Sequence, residues 1–126
     1  MIPPHSERAG EVRIALPWPE RALSPNGRSH WAVKARAVKS ARNTARVLTM
    51  EALRLRKPGW DRVLLHWEFH PKTRNGVDED NAEASVKAYR DGIADALAID
   101  DSKFEATRSF GEPIKGGAVI ATVRSL

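Results

Sequence analysis

The sequence predicts a single α+β domain, a mixed β-sheet carrying two main helices, with elements in the order β-α-β-α-β-β. Three observations predict it. Apolar residues alternate from Val12 to Trp18 and again from Val63 to Phe69, the two-residue period of a half-buried strand. Elsewhere the apolar period lengthens to three and four, as in an amphipathic helix. Finally, a chain of 126 residues fits one compact domain.

Residues 1–10 read as a flexible N-terminal arm and 11–126 as the domain proper. Val12, Ile14, Leu16 and Trp18 form the first strand, which Pro17 and Pro19 bring to an end. Pro25, Asn26 and Gly27 mark a loop. From Ser29 or His30 to Lys57 the pattern is helical, with Ala37, Ala41, Ala45, Leu48, Ala52 and Leu55 on one stripe, small enough for close approach to a sheet. Pro58 and Gly59 are the expected stop.

Arg62 to His70 is the clearest strand. Val63, Leu65, Trp67 and Phe69 point one way and His66, Glu68 and His70 the other. That trio has a spacing compatible with zinc, but a polar or partner-covered sheet face is the simpler reading. Pro71 to Val77 is a basic, turn-rich loop. Ala82 to Ala98 forms the second helix, with Val86, Tyr89, Ile93 and Leu97 as its core stripe. Phe104–Phe110 and Ala118–Arg124 are expected to close the sheet as a hairpin through Gly111–Gly117.

Charge is distributed unevenly. Residues 1–60 hold 12 basic and 4 acidic side chains, whereas residues 61–126 hold 9 and 12. Arg21 to Met50 contains seven Lys or Arg and no acid, a surface that attracts a polyanion. Arg36, Lys39, Arg42 and Arg46 share one helical face; with Arg28, Lys34, Lys72 and Arg74 they are the candidate DNA contacts. No cysteine is present, which removes disulfides and thiolate zinc sites and makes a cytoplasmic setting the expectation. No apolar run approaches the roughly 18–20 residues needed to cross a bilayer, and the N-terminus lacks the apolar centre of a signal peptide.

The remaining signal is acidic. Asn75 to Phe104 contains eight of the sixteen carboxylates, a density that repels itself unless a cation sits within it. Asp78 and Asp80, in an extended approach to the second helix, can face one point; Asp100 and Asp101 return from the far end of that helix. Asp80 also suits an N-cap, with Glu83 at the capping-box position. Oxygen ligands without cysteine select Mg²⁺, with Mn²⁺ able to substitute, over zinc. Such an ion activates water for phosphodiester hydrolysis. Lys87 lies seven residues after Asp80, on the same helical face, where it would neutralise the reacting phosphate.

Asp78-Glu79-Asp80-Asn81, Lys87, Asp91-Gly92, Asp95-Ala96-Leu97 and Asp100-Asp101-Ser102, with the upstream Ser24-Pro25-Asn26 and Trp31, resemble the RusA family of Holliday-junction resolvases. The resemblance spans roughly residues 12 to 124. It implies a homodimeric, Mg²⁺-dependent endonuclease that nicks symmetry-related strands of branched DNA, often encoded by a prophage. Carried over by position, Asp78, Asp80 and Asp101 would be the essential metal carboxylates, Asp100 a neighbour and Lys87 the catalytic lysine. In the best-known members that lysine comes four residues after the second Asp, where this chain has Ala84. Two other readings compete: a nuclease of the D…(D/E)-x-K kind using Asp101-Ser102-Lys103, and a DNA-binding or adaptor protein that does not cut.

Overall fold

The computed structural model describes residues 6–8, 10–25, 30–74 and 79–126. Within these residues the chain forms one five-stranded mixed sheet in the order β1-β2-β5-β3-β4, with helices packed on it. The predicted α+β class is therefore the observed one. The strands are β1 (Ser6–Arg8), β2 (Glu11–Pro17), β3 (Val63–His70), β4 (Phe104–Phe110) and β5 (Ala118–Ser125). Strand β1 adds an unforeseen edge: part of the expected arm pairs antiparallel with β2, Ser6 opposite Arg13.

Alternation is obeyed in β2 and β3. Val12, Ile14 and Leu16 are buried from β2, and Val63, Leu65, Trp67 and Phe69 from β3. The predicted hairpin is corrected. Strand β4 pairs with β3 in parallel, while β5 inserts antiparallel between β2 and β3. The loop after β4 is bound to the end of β3, Gly111 N–H donating to Phe69 O at 2.8 Å and Ile114 N–H to Pro71 O at 2.9 Å. It thereby carries the chain across β3 to its other side. The exchange has a hydrophobic cause: Ala118, Val119, Ile120 and Ala121 are all buried in β5, whereas Glu105, Ala106, Thr107 and Ser109 leave β4 exposed as an edge. Central strands take the continuously apolar segment.

Helix α1 (Trp31–Ala52) starts at an N-cap, His30, whose Nδ1 accepts the Ala32 N–H at 3.2 Å. It ends five residues earlier than expected, because Arg54 and Leu55 turn left-handed with φ of 56° and 61°. Leu55 is consequently exposed, and Leu53 takes the buried place. The second predicted helix is two: α2 (Glu79–Ser85) and α3 (Lys87–Leu97), interrupted at Val86. Beside the break, Ser85 Oγ donates to Ala82 O at 2.7 Å, the local side-chain bond that competes with helical continuation. The core stripe Val86, Tyr89, Ile93 and Leu97 is buried as predicted.

The alanine stripe of α1 approaches α3 more closely than it approaches the sheet. Ala88, Gly92 and Ala96 are buried on α3 at four-residue steps, opposite Ala37, Ala41 and Ala45. At Gly92 a Cβ would lie 2.1 Å from Arg42 O and 3.0 Å from Ala45 Cβ. Tyr89 Oη donates to Pro17 O at 2.8 Å and so ties α3 to the end of β2; burial, then the charge of Glu20, pushes its pKa up to about 12.

A polar network occupies the sheet face away from the helices. His66 contacts Thr107 Oγ1 at 2.7 Å and Ser109 Oγ at 3.0 Å through its two ring nitrogens. His70 contacts Glu112 O at 2.8 Å and Glu68 at 2.7 Å. With both nitrogens of each ring engaged by protein groups, the polar-face reading of His66, Glu68 and His70 accounts for them.

Candidate active site

The crossover from β3 to β4 builds a cleft of about 350 Å³ beside the break between α2 and α3. Because β3 and β4 are parallel, the intervening helices must span the sheet from the end of β3 back to its start, and Asp80 and Asp101 both face the cleft along this crossover. Asp80, Glu83, Lys87, Arg90 and Asp101 line the cleft, and Trp67 of β3 contributes its apolar wall. Asp80 and Asp101, expected to meet from opposite ends of the crossover, do share one cavity. Asp78 and Arg28 lie outside the described residues.

The carboxylates are not equivalent. Asp80 lies in the first turn of α2 rather than at its N-cap, and its side chain is 96% exposed. Asp100 serves as N-cap of a single 3-10 turn (Asp101–Lys103), its Oδ1 accepting the Ser102 N–H at 2.8 Å. That bond, first of several contributions, holds its pKa below the usual carboxylate range. Asp100 thus shapes the turn that presents Asp101 and does not itself line the cleft. Lys103, at the end of the same turn, is exposed and also outside the cleft lining.

Lys87 lines the cleft with its Nζ 3.5 Å from Asp91 Oδ2, an exposed i,i+4 pair of little strength. Arg90, one turn further on the same face, was not singled out by the sequence. Its Nη2 donates to Asp101 O at 3.0 Å, its guanidinium stands 5.7 Å from the centre of the Phe104 ring, and its Nε is buried without a hydrogen-bond partner among the described residues. Arg90 therefore fixes the backbone that carries Asp101. The i,i+3 step from Lys87 was its legible signal.

Arg108 was also missed. It projects from edge strand β4 toward α2, ion-paired with Glu83, 3.8 Å from Asp80 and 3.9 Å from Glu79, and donating to Glu79 O at 3.3 Å. Glu83 is thus occupied by Arg108, and the guanidinium offsets part of the acidic repulsion. Among the described residues, no group of three or more His, Asp or Glu side chains is gathered as a metal site. The donor set facing the cleft is nonetheless all oxygen, which fits a hard cation that takes few protein ligands.

The basic face of α1 is only partly free. Arg42 Nε and Nη2 bind the two oxygens of Asp95 on α3 at 2.7 and 2.8 Å, a bidentate pair that lowers the Asp95 pKa. The expectation that no acid answers this face is corrected here: the acid comes from a helix 53 positions away. Arg46 donates to Asn43 Oδ1 at 2.8 Å. Lys34, Arg36 and Lys39 are exposed, as are Lys72 and Arg74, the last 3.0 Å from Glu112.

A second cleft, of about 320 Å³, adjoins the first across Ala84 and Lys87. Leu23, Pro25, Lys34 and Val38 form its other wall. The two clefts thus share Ala84 and Lys87 as a common rim between the carboxylates and the N-terminal half of α1.

Fold and site together define a small α+β protein whose crossover helices present an acid-and-base-lined cleft. No family model matches the chain. It is 39% identical over 122 residues to a protein of Xylella fastidiosa (strain Temecula1 / ATCC 700964) described as uncharacterized, spanning 90% of this chain and 76% of that one. The chain belongs to the same family as that protein. No helix among the described residues is long and apolar enough to cross a membrane.

Proposed function

We propose that this chain is a Mg²⁺-dependent, structure-selective endonuclease that resolves four-way DNA junctions, the activity implied by its resemblance to RusA resolvases. The observation that supports this best is the convergence of Asp80 and Asp101 on one cleft with Lys87, although 21 positions separate the two aspartates. Asp80 and Asp101, with Asp78, would hold the ion. When bound, Mg²⁺ supplies Lewis acidity toward a phosphoryl oxygen and lowers the pKa of a coordinated water; Mn²⁺ serves the same role.

The chain's own groups do the remainder. Lys87 brings an ammonium to the scissile phosphate, and Arg90 holds Asp101 in place through its backbone carbonyl. Trp67 and Val86 exclude water from one side of the cleft. Arg36, Lys39 and Lys34 supply phosphate contacts, which give affinity without base specificity. A homodimer with C2 symmetry would present two equal sites to a junction of the same symmetry.

One observation favours a second reading. Arg108 already lies against Glu79, Asp80 and Glu83 and offsets part of their charge without a metal, as in a DNA-binding or adaptor protein that never cuts. Lys103 stands outside the cleft lining, which leaves the D…(D/E)-x-K alternative without that support.

Incubation with a mobile synthetic junction separates these readings. Paired, symmetry-related nicks in Mg²⁺ that disappear in EDTA are expected. A junction bound but left intact in both Mg²⁺ and Mn²⁺ would establish the non-cutting reading instead.

A further inference from the structure

We infer that Trp31 is a stacking platform for an unpaired base of the DNA strand lying along the two clefts. This rests on the proposed nucleic-acid reading but requires no cleavage. Trp31 is 76% exposed at the first position of α1, a large apolar ring presented to water. The other tryptophans are packed: Trp67 is buried, and Trp18 and Trp60 pack against the core. Burial of a ring this size is strongly favoured, so its exposure is costly unless something covers it.

The placement of Trp31 says what covers it. Residues 31, 34 and 38 follow helical steps of three and four, so Trp31, Lys34 and Val38 lie on one face of α1. Lys34 and Val38 line the second cleft, which adjoins the carboxylate cleft through Lys87 and Ala84. Trp31 stands one turn before Lys34, about 5 Å along the helix axis, just outside the lining of the second cleft. A strand crossing Asp80 and Lys87 would pass Lys34 with its phosphates and bring a base to the indole. Asp91 also lines the second cleft but is paired with Lys87. The exposed Lys34, Arg36 and Lys39 leave this end of α1 positive, and so complementary to a polyanion rather than to an apolar partner surface.

The neighbouring ring supports the same occupant. His30 lies 5.5 Å from the Trp31 ring centre at 34°, and its Nδ1 is tethered by capping the helix. The indole is thus backed by a positioned ring. Aromatic platforms next to cationic grooves bind single strands with little sequence preference, because every base offers a π-face.

The test is a fluorescence titration of the full chain, in EDTA, with an oligo(dT) of roughly 12 nucleotides and with a blunt duplex. Oligo(dT) is expected to quench tryptophan emission. Trp31→Ala should abolish most of that quenching and weaken oligo(dT) binding by about 5- to 150-fold, with a smaller effect on the duplex. Trp31→Phe should restore most of the affinity. Equal oligo(dT) affinity in parent and Trp31→Ala, or no binding by the parent, overturns the inference. So does a Trp31→Ala change confined to the sedimentation coefficient, which would assign the ring to contact with a second copy. Because metal is absent, an uncut junction would defeat the nuclease reading while leaving this result standing.

Discussion

Asp80→Asn is expected to abolish the proposed Mg²⁺-dependent junction cleavage while junction binding is retained or slightly strengthened. The substitution keeps the shape of the side chain but removes one of the two described carboxylates that face the cleft from opposite ends of the crossover. An ion that loses a charged ligand loses several kcal/mol of transition-state stabilisation, and about 3 kcal/mol corresponds to a rate loss of roughly 100-fold or more. Binding behaves in the opposite sense, since one negative charge is removed from the path of a phosphate backbone. The fold should change little, because the side chain is 96% exposed. Single-turnover cleavage, gel-shift affinity and a thermal melt check all three parts. Cleavage at the parent rate would remove Asp80 from the chemistry.

Gly92→Ala is expected to be among the most damaging single-methyl changes in this fold. The new Cβ would fall 2.1 Å from Arg42 O and 2.9 Å from Arg46 N, both backbone atoms of α1. No side-chain rotation relieves that contact, so α1 and α3 must separate. Separation loosens the small-residue seam formed with Ala37, Ala41 and Ala45 and disturbs the Arg42–Asp95 pair beside it. Overpacking of this kind costs up to about 3 kcal/mol, and more where backbone is involved. For a chain of this size that lowers Tm by roughly 10–20 °C, despite the better helix propensity of alanine. Gly116→Ala is the control, because nothing lies within 4 Å of its added Cβ. It should lose only the left-handed backbone preference, about 1–2 kcal/mol. Equal melts for the two variants would mean that the helix seam is not tight.

The same seam changes how the basic face of α1 can be probed. Arg42 holds α1 to α3, so reversing its charge would leave Asp95 facing a second carboxylate. A loss of DNA binding in Arg42→Glu would then report a damaged fold. Arg36 and Lys39, both exposed, are the positions at which affinity and its salt dependence test the proposed phosphate contacts directly.

What could be read from the sequence, and what could not, divides along a physical line. Burial leaves a local period, so Val12–Leu16, Val63–Phe69 and the stripe through Val86, Tyr89, Ile93 and Leu97 are legible in the sequence. Pairing between distant segments leaves no such period. Strand β4 alternates well enough, but nothing local says that its partner is β3 rather than β5. The Arg42–Asp95 bond crosses 53 positions, and Arg108 reaches the acidic stretch across 25 positions from Glu83. The end of α1 was misplaced because Pro58 is an obvious stop, while left-handed Arg54 and Leu55 end the helix without a residue that signals it. At the site, the motif singled out Asp78, Asp80, Asp100, Asp101 and Lys87, of which Asp78 lies outside the described residues. The structure adds Arg90 and Arg108 and assigns Asp100 to capping.

Mn²⁺-induced broadening of backbone amide resonances tests most directly whether the crossover brings its oxygens close enough to bind an ion. Substoichiometric Mn²⁺ should selectively erase the signals of Asp80, Ala84, Lys87 and Asp101, and excess Mg²⁺ should restore them. Broadening spread evenly over the acidic surface, or centred away from the Asp80–Asp101 cleft, would contradict the account.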